Sequence, residues 1–126
     1  MRTSPVHELS LCGDLMEQVL AIAKAHHAKK IVSIIVRIGP LSGIEPMLLE
    51  SAFSISRAGT LAEEAQMFTE TLPIRVQCNS CGAESKAVIN NLICGSCGDF
   101  NTKLLSGDEL ILARVELETA DASPIN

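Results

Sequence analysis

Two C-x-x-C pairs, Cys78-Asn79-Ser80-Cys81 and Cys94-Gly95-Ser96-Cys97, constrain this chain more than any other feature. Twelve residues separate them, which is the ligand spacing of a tetrahedral zinc site. Each pair puts two thiolates on one turn, and two turns close an all-sulfur shell. Gly82 and Gly98 follow directly, where a tight knuckle aims backbone amides at the sulfurs. A thiol redox protein needs only one such pair, so the second argues for metal. Four sulfurs leave no open position for water, which points to a structural zinc and not a catalytic one.

The rest of the chain must supply its own core. Hydrophobic residues make up 47% of the 126 and aromatics only 2%, so that core is aliphatic. The fifth cysteine, Cys12, falls on the apolar side of a helical pattern and reads as a small buried hydrophobe. An odd cysteine count, no secretory signal and no bilayer-length apolar run predict a cytoplasmic protein with reduced thiols. A net charge of −5 disfavours nucleic acid as a partner.

The periodicity predicts a helix over 9–27, with Cys12, Leu15, Met16, Val19, Leu20, Ile22 and Ala23 inward. His26, His27, Lys29 and Lys30 gather at its end, where cations suit the helix dipole. Residues 31–38 predict a strand with Val32, Ile34, Val36 and Ile38 on one apolar face, stopped by Gly39-Pro40. A second helix is expected over 46–57, burying Met47, Leu48, Ser51, Ala52 and Ile55. Residues 66–77 read as one strand running into Cys78, and 101–108 as a loop. Residues 109–118 read as a last strand with Ile111, Ala113, Val115 and Leu117 on one face.

The expected fold class is α/β in the α+β sense. A small three-stranded sheet carries two helices, and a four-cysteine zinc-ribbon-like module is inserted. Residues 6–72 with 108–118 form the α/β domain, 73–107 the module, and 1–5 and 119–126 flexible tails. No Walker loop, dinucleotide fingerprint, nucleophile elbow or H-E-x-x-H appears, so the chain reads as a binding protein and not an enzyme. A lone His7 before the first helix is weak on its own, and adjacent His26 and His27 do not share a helix face.

Motifs in order along the chain carry a resemblance. His7-Glu8-Leu9-Ser10-Leu11-Cys12, Arg37-Ile38-Gly39-Pro40-Leu41-Ser42, Gly59-Thr60-Leu61-Ala62, Pro73-Ile74-Arg75-Val76-Gln77-Cys78 and Ser106-Gly107-Asp108-Glu109-Leu110 are similar to the HypA/HybF nickel metallochaperones of hydrogenase maturation. The resemblance implies zinc at Cys78, Cys81, Cys94 and Cys97, and transported nickel at a Met-His-Glu motif that maps onto Val6, His7 and Glu8. It implies a maturation GTPase and the hydrogenase large subunit as partners, with urease maturation proteins for some members. A membrane partner is not implied, and the chain is expected to be a monomer or weak homodimer. Val6 stands where the family has its initiator Met, and five residues precede it. Valine codon GUG can serve as a start, so a native chain beginning at position 6 is one expectation; a weaker nickel site lacking the nearby amine is the other. A zinc-ribbon adaptor that docks on protein without moving nickel is the alternative. Residues 78–98 hold Lys86 as their one basic side chain and no aromatic, which leaves a nucleic-acid ribbon without a platform.

Overall fold

The computed structural model describes residues 5–119. Eight elements follow in order: α1 (Pro5–Ala25), β1 (Ala28–Ile38), α2 (Pro46–Ser56), β2 (Gln66–Thr71), β3 (Ile74–Cys78), β4 (Glu84–Ala87), β5 (Thr102–Ser106) and β6 (Leu110–Thr119). They make two three-stranded sheets, ordered β2-β1-β6 and β4-β3-β5. The architecture is α+β, as the patterning predicts. Pro5 opens α1 and Thr119 ends β6, while the rest of both expected tails lies outside the described residues.

The chain divides into two compact units. One runs to Val36 and adds Glu45–Thr69 and the chain from Leu112; the other comprises Arg37–Ile44 and Glu70–Ile111. In the first, α1 packs on α2. Cys12, Leu15, Met16, Val19 and Ala23 of α1 meet a core completed by Ile31, Ile34 and Val36 of β1 and by Leu49, Ala52 and Phe53 of α2. Lys30 pairs with Glu64, Arg37 with Glu70, and Leu72 N–H donates to Ile38 O. Those partners climb together, from Glu64 just before β2 to Leu72 just after it, so β1 and β2 run parallel with α2 as their crossover. The partners on β6 descend instead: Lys30 with Glu118, Ser33 with Glu116, and Gly39 N–H with Glu109 O, so β6 is antiparallel.

Several expectations require correction. The stripe of α2 is rotated. Met47 is 74% and Ile55 67% exposed; Ala52 is buried as expected, and Leu49 and Phe53 join it in place of the others. Leu49 and Phe53 are one turn apart and carry more apolar surface inward than the alternative set with its Ser51. On β1, Val32 is 42% exposed while Ile31 and Ser33 are buried, so the inward parity changes between Ser33 and Ile34. On β6, Ile111 and Ala113 face solvent; Leu110, Leu112, Val115 and Leu117 are half-buried, and the parity changes at Arg114.

The strand expected over 66–77 is two strands in different sheets, broken at Leu72-Pro73. Proline has no N–H for a ladder and biases the residue before it. The expected loop 101–108 contains β5, which pairs antiparallel with β3 through Val76–Leu104, Gln77–Lys103 and Cys78–Thr102. Its Thr-Lys-Leu-Leu-Ser sequence carries too little alternation to announce a strand, and pairing with β3 forms one nonetheless.

Candidate metal sites

β3 alternates buried Ile74, Val76 and Cys78 with half-buried Arg75 and Gln77. Period-two alternation therefore brings the first sulfur inward at the strand's end. The chain then turns through a knuckle: Gly82 N–H donates to Cys78 O at 3.0 Å, and Cys78 N–H to Ala83 O at 2.9 Å. The second knuckle repeats it, with Gly98 N–H on Cys94 O at 2.9 Å and Cys94 N–H on Asp99 O at 2.8 Å. Gly82 and Gly98 have φ of 78° and 79°, a conformation that side-chain-bearing residues adopt only with strain.

All four Sγ atoms lie within 4.8 Å of one another. Cys78 and Cys97 are 3.6 Å apart, as are Cys81 and Cys94. Zn–S bonds of about 2.3 Å at tetrahedral angles require sulfur edges of roughly 3.8 Å, so the cage fits zinc. Ser80 and Cys81 N–H groups point at Cys78 Sγ, and Ser96 and Cys97 N–H groups at Cys94 Sγ, all at 3.3 Å. Those amides stabilise thiolate. The N–H of Cys97, then that of Ser96, draws the Cys94 thiol down to about 6, and the N–H of Cys81 lowers Cys78 likewise. Cys97 receives one N–H from Asp99, but the neighbouring thiols outweigh it and push it up to about 12. Each knuckle's first cysteine thus ionises first, and a dication makes the remaining two follow.

Side chains brace the cage. Ser80 Oγ donates to the Asp99 carboxylate, holding that acid below the usual carboxylate range with help from the Asn101 N–H. Asn79 Nδ2 donates to Asn101 Oδ1 at 3.1 Å, and Gly95 N–H donates to Ser85 Oγ at 2.9 Å. The sequence signals none of these cross-links, because each joins segments separated by ten residues or more.

The other candidates fall in α1. Val6 and His7 belong to its first turn, and their side chains lie outside the described residues. Glu8 is fully buried. Its Oε2 accepts the Glu45 N–H at 3.0 Å, and its Oε1 has no partner among the described residues. Glu45 is the N-cap of α2, and its own carboxylate accepts the Met47 N–H at 3.3 Å. Glu45 has a sequence signal of its own, an acid directly before a proline at a helix start. His26 and His27 are exposed at the end of α1.

A family model described as hydrogenase/urease nickel incorporation, metallochaperone, HypA, matches residues 6–117. This chain belongs to the HypA family. The hydrogenase maturation factor HypA of Nitrosospira multiformis is 45% identical over 114 residues, covering 90% of this chain and 99% of that protein. That of Aquifex aeolicus is 38% identical over 113 residues, covering 90% and 98%. The solution structure of the nickel metallochaperone HypA from Helicobacter pylori superposes with a TM-score of 0.69 at 25% identity, covering 89% of this chain and 97% of that one. Within the HypA frame, the four-cysteine cage fits a structural zinc and the cargo is nickel. Among the described residues, no helix is long and apolar enough to cross a membrane.

Proposed function

We propose that this chain is a cytoplasmic Ni2+ carrier, and not an enzyme, that passes nickel toward the large subunit of nickel–iron hydrogenase with a maturation GTPase, or into urease maturation. The observation that carries the reading is the HypA family match, which begins at residue 6 on the Val6-His7-Glu8 stretch. The geometry of the sulfur cage supports the division of labour. Four mutually close sulfurs leave no vacant position for a second ligand, so the cage suits a resident ion better than a transferable one.

In this reading residues 6–72 with 108–118 carry nickel, and 73–107 carry zinc on Cys78, Cys81, Cys94 and Cys97. Bound zinc cross-links the two knuckles and supplies on the order of 10–16 kcal/mol toward ordering them. Nickel is held at the start of α1. The His7 imidazole is the side-chain ligand, and Val6 and Glu8 contribute backbone amides. The first amides of a helix have no intrahelical acceptor, and that of Val6 lies among them; Glu8, the fourth residue of α1, must release its helical bond to ligate. Ni2+ accepts planar nitrogen ligation of this kind. Binding releases protons, and affinity falls as pH drops through the histidine range.

The test is a nickel titration of the zinc-loaded protein and of His7→Ala. The variant keeps zinc and fold and loses specific nickel binding. Superimposable isotherms for the two proteins would rule the site out.

A further inference from the structure

The Glu8 carboxylate is the one buried side-chain group with an unpartnered oxygen among the described residues, and its other oxygen is committed to a backbone amide. We propose that the Glu8 side chain is not a nickel ligand but a positioning residue, clamping the first turn of α1 to the N-terminus of α2. The proposal rests on the nickel reading above, and it separates what the backbone of residue 8 does from what its side chain does.

Three observations support the clamp. Glu8 is fully buried, so its carboxylate is not open to an incoming ion. Its Oε2 holds the N–H of Glu45, the residue that caps α2, so the side chain of α1 is tied directly to the start of α2. The carboxylate also sits at the start of α2 while belonging to the first turn of α1. Both helix ends carry partial positive charge, which favours an anion there. A charged acceptor makes a bond about twice as strong as a neutral one, which is a reason for Glu in place of Gln. A cargo site needs a rigid frame and labile ligands; a buried clamp beside an ionisable histidine separates those duties.

The test uses the zinc-loaded full chain, with nickel affinity and the absorption bands of bound nickel read for wild type, Glu8→Gln, Glu8→Ala and His7→Ala. Glu8→Gln keeps an oxygen for the Glu45 N–H. Its nickel affinity stays within about threefold of wild type, with unchanged bands and a still-protected Glu45 amide in hydrogen exchange. Glu8→Ala removes the clamp and weakens nickel by about tenfold or more, so Gln rescues what Ala loses. If Glu8→Gln loses nickel as fully as His7→Ala, or shifts the bands, the carboxylate is a ligand and the proposal falls. It falls equally if Glu8→Ala binds as wild type. Should Glu8→Ala not fold, the comparison of Glu8→Gln with wild type still decides between clamp and ligand. His7→Ala binding like wild type would instead remove the nickel site itself.

Discussion

Gly39 should not tolerate even a methyl group. A Cβ built there would lie 2.2 Å from Gly107 O, 2.3 Å from its carbonyl carbon and 2.7 Å from Asp108 N. Ordinary carbon contacts sit at about 3.5–4.0 Å, so the two segments must part by more than about 1 Å. Gly107 has φ of 122° and is backed by Ile74, whose Cα would be 3.1 Å from a Cβ at that position, so it has little room to retreat. Parting the strands breaks Gly39 N–H to Glu109 O at 2.8 Å and Leu41 N–H to Gly107 O at 2.7 Å. Two such bonds contribute about 1 kcal/mol each, and forced repacking adds about 1–3, so Gly39→Ala should destabilise by about 3–5 kcal/mol. That is a large part of the ~5–15 kcal/mol typical of a domain. Urea unfolding of zinc-loaded protein, with m-values checked, measures it. Gly13→Ala is the control: nothing lies within 4 Å of a Cβ there, in mid-helix, so it should stabilise by about 0.5–1 kcal/mol. A loss under about 1 kcal/mol for Gly39→Ala, with amide shifts at 107–109 unmoved, would refute the reasoning.

Three further outcomes are expected. His27 adopts φ of 54° just past the end of α1, so His27→Gly should raise stability by about 1 kcal/mol in the same urea assay; a loss would show that its side chain makes a contact worth more than the strain. Chelating zinc should collapse the amide dispersion of residues 78–98 while α1 and α2 keep theirs, since zinc closes the module and the aliphatic core holds the helices. Burial raises the Cys12 thiol above its ordinary value, against the pull of the Ser56 hydroxyl. A raised native pKa contributes stability that is present below the unfolded thiol's value and lost as pH rises toward the native one. The stability margin of wild type over Cys12→Ala should therefore hold up to about pH 8.5 and shrink above it; a margin unchanged to pH 10 would contradict the shift.

Local chemistry was legible wherever a residue's role depends on its near neighbours. The C-x-x-C pairs and their glycines announced the cage because four ligands close in sequence have one economical way to meet. Helix α1 was legible from its period: of its expected inward residues, Cys12, Leu15, Met16, Val19 and Ala23 are buried, and Leu20 and Ile22 are half-buried. The α2 stripe is only partly legible because its residues are apolar on two sides, and the choice between Met47–Ile55 and Leu49–Phe53 belongs to what packs against it. β5 is not legible in the sequence because its strand character comes from pairing with β3.

The division of this protein follows range. By itself the sequence determined the metal chemistry, the two helices, the α+β class and the family, because spacing and period are short-range properties of a chain. Only the tertiary structure decided that Pro73 ends one strand and starts another in a separate sheet, that the second knuckle is braced by Ser80 and Asp99, and that Glu8 is buried against the cap of α2. Each joins groups far apart in sequence, and no local pattern encodes a partner that only folding brings within reach.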